Sequence, residues 1–378
     1  MKFCFTARGN RVFDVLSGDT TTTGGAEAQT AYMAAAFASL GHQVDLIYGY
    51  GAAKSSVVAG VRCIDAYPCW QRPKSLLTFW AALKESAADL VYANLPDDFL
   101  WILGLYSKLH SQSNFVYHIR NDLHCTPWKY YSYKKWFHNP LYALSLRSAD
   151  AIAVQHETQA QLVKPYIKAD ITLIPNFVRS CEAEPRSYKD TNIDAIWVAS
   201  IRPQKQLHLF LDIAEALPHL KFAVVGWFAP SIDQEIRQDL EHRMQLSENL
   251  RYLGAQQSKD VLRLLKRSKL MVSTSNLEGF PNTMLEAWSV GVPIVSLEID
   301  PGGVIQRKGI GLVSGTMSNM ISDIERLAQT RSSNQAMGEK GLEYVRRTHS
   351  LEAVCQAFGR IMPDIQTQGD AERSHLIP

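Results

Sequence analysis

The sequence predicts an α/β protein of two doubly wound, parallel-sheet domains, and three observations carry that expectation. The chain has 378 residues and 46% hydrophobic content, enough for a large core and, at that length, for two domains. Short apolar runs alternate with stretches of helical periodicity through two separate halves, as strands joined by crossover helices do. Between the halves the periodicity lapses in a polar run from Pro175 to Asn192 that mixes Pro, Ser, Asn and charged residues.

In the first half, the apolar run Lys2 to Thr6 reads as a buried strand, followed by a polar loop from Ala7 to Gly25. Tyr32, Met33, Ala36, Phe37 and Leu40 recur at helical spacing over Ala26 to Leu40, and Gly41 stops that helix before the strand Val44 to Tyr48. The alternation continues with a helix near Ser75 to Ser86, a strand Leu90 to Ala93, a helix Asp97 to Leu109 and a strand Phe115 to Tyr117. A helical aromatic stretch and strands Ala151 to Val154 and Ile171 to Ile174 close this half. The second half repeats the alternation with strand Ala195 to Ala199, helix Leu207 to Leu217, strand Phe222 to Val225 and a long helix over Ile232 to Met244. Strand Leu250 to Leu253, helix Lys259 to Arg267 and strand Leu270 to Ser273 follow. The spans expected are a first domain over 1–176, a linker over 177–192 and a second domain over 193–350. A helix over 351–366 packs back towards the first domain, and 367–378 is a flexible tail. In open parallel sheets ligands bind beyond the carboxyl ends of the strands, so two such domains are expected to share one cleft.

Composition narrows the partners. Lys plus Arg number 39 against 37 for Asp plus Glu, so overall charge argues against nucleic acid and any anionic ligand must be met locally. The six cysteines show no metal-ligand spacing and no signal peptide precedes Cys4, which reads as reduced thiols in a cytoplasmic protein. No stretch reaches the roughly 18 to 20 apolar residues of a membrane span. No GxGxxG opens either half, which argues against a dinucleotide oxidoreductase.

The most informative stretch is Glu278-Gly-Phe-Pro-Asn-Thr-Met-Leu-Glu286, a Gly/Pro/Asn turn that becomes an apolar helix ending at Gly291 before the buried run Ile294 to Leu297. One carboxylate falls in a loop and the other within the helix. The unpaired N–H groups at that helix start favour an anion such as a phosphate.

In this context the chain resembles the retaining nucleotide-sugar glycosyltransferases of family 4, which adopt the two-Rossmann-domain GT-B fold, with the flavour of bacterial polysaccharide and surface-glycan assembly enzymes. The resemblance rests on the paired glutamates within EGFPNTMLEAWSVGVPIV, on Gly24-Gly25-Ala26-Glu27 opening the first long helix, on Ile174-Pro175-Asn176, on Arg202-Pro-Gln-Lys205 and on Val224-Val225-Gly226. It implies that Glu286 binds the ribose hydroxyls and Glu278 lies near the donor sugar, with Gly279, Phe280, Pro281 and Asn282 lining the donor site. Arg202 and Lys205 are implied to neutralise the diphosphate, although Ala199-Ser200 stands where many members carry Gly-Arg. His118, at a strand end, is implied to contact the donor sugar and help position the acceptor, with His124, Arg120 and Asp122 competing for that role. Gly24 and Gly25 would let backbone approach the phosphates or the acceptor closely, and Gly226 is implied to belong to the donor site. The implied reaction is transfer of a sugar to an acceptor hydroxyl with retention, Glu278 and His118 being catalytic, with no cofactor and no metal. A nucleotide-sugar 2-epimerase of the same fold and a non-catalytic sugar-nucleotide binding protein are the alternatives.

The implied partners are a UDP- or GDP-sugar donor and a glycan or lipid-linked acceptor. Trp128 to His138 interleaves aromatics with Lys129, Lys134 and Lys135. That composition suits either contact with an anionic membrane surface, placing the protein at the inner face of the plasma membrane, or a core-facing aromatic stripe with solvated lysines.

Overall fold

A computed structural model describes residues 1–50, 54–69, 71–128, 139–179 and 184–362. The chain divides into two compact units. The first holds Met1–Asp19, Thr23–Phe177 and the residues from Leu351 onward; the second holds Thr20–Thr22 and Val178–Ser350.

The first unit runs β1 (Lys2–Thr6), α1 (Arg11–Leu16), α2 (Gly25–Ser39), β2 (Gln43–Tyr48), β3 (Ser55–Val58), β4 (Val61–Asp65), α3 (Ser75–Ser86), β5 (Leu90–Ala93), α4 (Leu100–Leu109), β6 (Asn114–His118), α5 (Asn139–Ser148), β7 (Ala151–Val154), α6 (Glu157–Val163) and β8 (Asp170–Leu173). Its sheet has the order β3-β4-β2-β1-β5-β6-β7-β8. Every pairing is parallel except β3 with β4, an antiparallel edge hairpin absent from the sequence reading. The reason is local: Ser55, Ser56 and Val57 are exposed, so this strand carries no apolar run. Helix α1 also lies inside the segment read as a loop, and α4 begins at Leu100 rather than Asp97. Asp97 and Asp98 are buried ahead of that helix, and an Asp97 carboxylate oxygen accepts the backbone N–H of Phe99 at 2.8 Å. Both sheet faces are covered, since β1 and β5 bury nearly every side chain.

The second unit runs β9 (Ile193–Val198), α7 (Leu207–Ala216), β10 (Phe222–Val225), α8 (Gln234–Leu246), β11 (Leu250–Tyr252), α9 (Ser258–Lys266), β12 (Ser268–Ser273), α10 (Asn282–Ser289), β13 (Ile294–Ser296), α11 (Val304–Lys308), β14 (Gly311–Val313), α12 (Met317–Gln329) and α13 (Arg331–Thr348). The sheet order is β11-β10-β9-β12-β13-β14, with all pairings parallel. Helix α9 illustrates how the helices dock: Val261 and Leu265, four residues apart, are buried, while Lys259 and Arg263 face outward.

After Ser350 the chain rejoins the first unit through α14 (Leu351–Gly359). Val354, Ala357 and Phe358 enter that unit's core, and the Phe358 ring meets Phe37 edge-on at 5.2 Å. Offset and edge-on ring pairs of this kind add about 0.5–1.5 kcal/mol beyond area burial. The residues 363–378, with the end of the expected terminal helix and the tail, lie outside the described residues, as does Lys129 to His138 of the basic aromatic stretch.

Candidate active site

In the second unit, β12 ends at Ser273 and the chain turns through Thr274 to Pro281 into α10. The turn is anchored from both ends. The Thr274 hydroxyl donates to the Lys205 carbonyl at 2.8 Å and accepts from Trp197 Nε1 at 3.1 Å, while the Asn276 N–H donates to the Gln204 carbonyl at 3.1 Å. These bonds lock the Glu278 loop onto the 3-10 turn Pro203–Lys205. At the other end the Phe280 ring sits in the core, edge-on to Trp288 at 6.4 Å and tilted against His349 at 5.1 Å. Phe280 therefore contributes to a site through its backbone and as the anchor of its loop. Gly279 and Pro281 are buried, Pro281 caps α10 and Asn282 is its first residue.

The structure brings Lys205 and Glu278 together: Lys205 Nζ is hydrogen-bonded to a Glu278 carboxylate oxygen, with both side chains largely buried. The two residues whose roles were expected to be diphosphate neutralisation and sugar contact thus satisfy one another. Arg202 precedes the same turn, and its Nε is buried with no hydrogen-bond partner among the described residues.

Glu286 lies in the middle of α10, eight positions after Glu278. Its carboxyl has no hydrogen bond or ion pair among the described residues; only its backbone carbonyl is engaged, by the Ser289 hydroxyl at 2.7 Å. The residue keeps partial exposure, yet burial of the carboxyl pushes it up to about 7. An unpaired, desolvated carboxyl held in mid-helix is suited to accept hydrogen bonds from a ligand's hydroxyls.

Gly226 follows β10 and is fixed by backbone: its N–H donates to the Gly254 carbonyl at 2.9 Å and its carbonyl accepts the Tyr252 hydroxyl at 3.1 Å. A Cβ at this position would run into the Ala199 carbonyl oxygen. That close crossing of the β9 and β10 ends accounts for the glycine.

In the first unit, Gly24 caps α2 and Gly25 is its first residue, with Glu27 in the first turn. A Cβ on Gly24 would meet the Glu27 carboxylate. His118 ends β6 and is fully enclosed, at 0% exposure. Its Nδ1 lies 2.8 Å from the Tyr92 hydroxyl, and its Nε2 is buried without a hydrogen-bond partner among the described residues. Burial and the neighbouring Arg120 guanidinium hold the imidazole well below its ordinary range, so it is neutral. Arg120 donates from Nη2 to the Tyr92 hydroxyl at 2.8 Å and from Nη1 to Asn176 Oδ1. Among the other residues of that loop, Asp122 lies 3.3 Å from His156 Nε2 and accepts from Gln159 Nε2 at 2.9 Å. Burial lowers His124 to about 4. Tyr92 was missed from the sequence, because a tyrosine inside an apolar strand gives no signal that its hydroxyl is shared between a histidine and an arginine.

Two doubly wound units, one of them carrying paired glutamates around a helix start, define a class of two-domain α/β proteins. Residues 182–343 match the family model for glycosyl transferases group 1, and residues 23–180 match that for Glycosyltransferase Family 4. The chain belongs to the GT-B glycosyltransferases. It is 24% identical over 249 residues, 58% of each chain, to an uncharacterized glycosyltransferase of Methanocaldococcus jannaschii. It is 26% identical over 207 residues, 52% of this chain and 58% of the relative, to the lipopolysaccharide core biosynthesis glycosyltransferase LpsE of Rhizobium meliloti. These matches thus span under two thirds of either relative. Sucrose-phosphate synthase of Thermosynechococcus elongatus shares the fold with a TM-score of 0.76 at 14% identity, covering 96% of this chain and 98% of that one. The Anabaena protein HepE, solved with UDP and glucose, does so with a TM-score of 0.73 at 17% identity, covering 96% and 99%.

Proposed function

We propose that the protein transfers a sugar from a nucleotide diphosphate donor to an acceptor hydroxyl with retention of anomeric configuration. The observation that carries this reading is the different state of the two glutamates: Glu278 paired with Lys205, Glu286 unpaired and desolvated in α10. Glu286 takes the ribose hydroxyls, and Lys205 with Arg202 and the α10 N-terminus takes the diphosphate, releasing Glu278 towards the sugar. His118 offers its unpartnered Nε2 to the sugar. Gly24 and Gly25 at the start of α2 contribute backbone N–H groups.

In the reaction, the bond from the anomeric carbon to the leaving phosphate oxygen breaks and a bond to the acceptor oxygen forms on the same face. The acceptor proton passes to the departing phosphate, so the protein acts by positioning and by charge stabilisation. The lysine and helix terminus take the place of a divalent ion, and dialysis against a chelator is expected to leave turnover unchanged; loss restored by a metal overturns that point. HepE's complex with UDP and glucose supports UDP as the nucleotide, with GDP the other candidate. The name of LpsE supports an acceptor in surface-glycan or lipopolysaccharide assembly, glycan or lipid-linked, handled on the cytoplasmic side.

No helix among the described residues is long and apolar enough to cross a membrane. Contact with the membrane surface through Trp128 to His138 is proposed on composition; Trp128 itself is 54% exposed. Failure of the protein to sediment with anionic vesicles would remove it.

The test of the function is Glu278→Gln assayed with a panel of UDP- and GDP-sugars. Turnover is expected to fall by roughly 100-fold or more, as for loss of a transition-state group, with donor affinity retained. Equal small effects on both overturn the assignment, and epimerised donor formed without an acceptor would instead establish the epimerase reading.

A further inference from the structure

We infer that Arg120 and Tyr92 are positioning residues that fix the tautomer of His118, holding its Nε2–H as a pre-aimed hydrogen-bond donor. The inference rests on the reading that His118 meets the sugar, but its geometric part stands without it.

The Tyr92 oxygen sits between two side chains. Arg120 Nη2 donates to it at 2.8 Å, and guanidinium has no acceptor to offer in return. The tyrosine hydrogen must therefore go elsewhere: His118 Nδ1 lies at 2.8 Å and the Met33 sulfur at 3.9 Å, while the Asn94 side chain, also beside this hydroxyl, has its oxygen taken by the Thr30 hydroxyl at 2.8 Å. An imidazole nitrogen at that distance is much the stronger acceptor. With Nδ1 accepting, the single proton of a neutral imidazole resides on Nε2. That nitrogen is buried and unpartnered among the described residues. A buried donor left unpaired costs on the order of 1–3 kcal/mol, a cost that a ligand oxygen would relieve.

Arg120 is itself held in place. Its Nη1 donates to Asn176 Oδ1, and Gln155 Nε2 donates to the same oxygen at 2.8 Å. No ion pair to a carboxylate is formed by Arg120 among the described residues. Its charge therefore acts uncompensated on the neighbouring ring and opposes protonation of His118. Among the described residues, the groups facing His118 are Tyr92 from β5, with the uncharged Asn94 side chain at its hydroxyl, and Arg120 from the loop after β6. The helices over this face, α2 and α14, present Met33 and Phe358 to Tyr92, and neither carries a charge. Asp122, further along the loop, is turned to His156 and Gln159. A neutral Nε2–H donor serves a sugar hydroxyl without adding a positive charge that would shift with pH.

The experiment uses the full chain with selectively 15N-labelled histidine, the His118 signals being assigned by their loss in His118→Gln. Expected is a neutral Nε2–H ring whose shifts stay constant from about pH 5 to about pH 8. In Tyr92→Phe, where a ring of the same shape preserves the core beside Phe5 and Phe358, the tautomer should become mixed. In parallel, kcat should fall about tenfold, as for one lost hydrogen bond, with donor KM within about twofold. Arg120→Lys, keeping a donor for the Tyr92 hydroxyl, should keep the Nε2–H tautomer, whereas Arg120→Gln should mix the tautomers while burial still holds the ring neutral. An Nδ1–H or cationic ring in the wild type overturns the inference, as does a tautomer unchanged in Tyr92→Phe. If the tautomer behaves as expected but His118→Gln leaves transfer unaffected, the positioning geometry stands and the role of His118 in the reaction falls.

Discussion

Replacing Glu286 by Gln separates stability from function, because the same desolvated carboxyl should oppose folding and favour the ligand. Burial pushes the carboxyl to about 7 against an ordinary value of 4.5. As pH rises between those values, the unfolded chain releases this proton while the folded state keeps it, so this group's contribution falls across that window and is level outside it. At roughly 1.4 kcal/mol per pKa unit, the ionised carboxylate costs the fold up to about 3 kcal/mol near pH 8. This is an upper figure, since the residue keeps some solvent access. Glutamine matches the shape and cannot ionise. The variant should therefore equal the wild type at about pH 4.5 and exceed it by about 1–3 kcal/mol at about pH 8, a rise of several degrees in Tm. Hydrogen exchange read on peptides from β12 and α10 isolates the second unit's stability from the first's. Donor affinity should move the opposite way, weakening about 10- to 100-fold with the loss of charge-assisted bonds to the ribose. A variant with no gain at high pH, or a gain that does not depend on pH, refutes the desolvation argument. Unchanged donor affinity refutes the ribose assignment.

Two further outcomes follow from the loops around this site. Gly226→Ala should destabilise the second unit by several kcal/mol, because the new Cβ meets the Ala199 carbonyl, a backbone atom that cannot swing aside; a soluble variant of wild-type Tm contradicts that crossing. Phe280→Ala should cost about 3–5 kcal/mol by leaving a cavity against Trp288 and His349. It should also lower turnover by loosening the Glu278 loop; full turnover at a temperature where the variant remains folded would uncouple anchor from site.

The parts of this architecture legible in the sequence are those where one residue type repeats at a fixed period or a motif has fixed spacing. Apolar runs such as Leu90–Ala93 and Ile294–Ser296 marked central strands, and the Glu278 to Glu286 motif marked the turn into α10. The hairpin β3–β4 was not legible, because an edge strand exposed to water need not alternate, and α1 is too short for periodicity to register. At the site, sequence spacing located Lys205 and Glu278 but could not show that they pair, since 73 residues separate them. Phe280 looked like a lining residue within the motif and turned out to be buried in the core. The environment of His118 depends on Tyr92 and Arg120, whose shared contact arises from strand register and a loop return. Such long-range juxtapositions leave no local pattern to read.

The central claim is retaining transfer from a nucleotide sugar, and the stereochemistry of the product tests it most directly. Proton NMR of the first product formed from an α-linked donor sugar, before any anomeric equilibration, reads the configuration of the new glycosidic bond. The account predicts an α-linked product whose formation requires the acceptor. A β-linked product would contradict it, because the acceptor would then have attacked from the opposite face and the leaving phosphate could not have taken its proton.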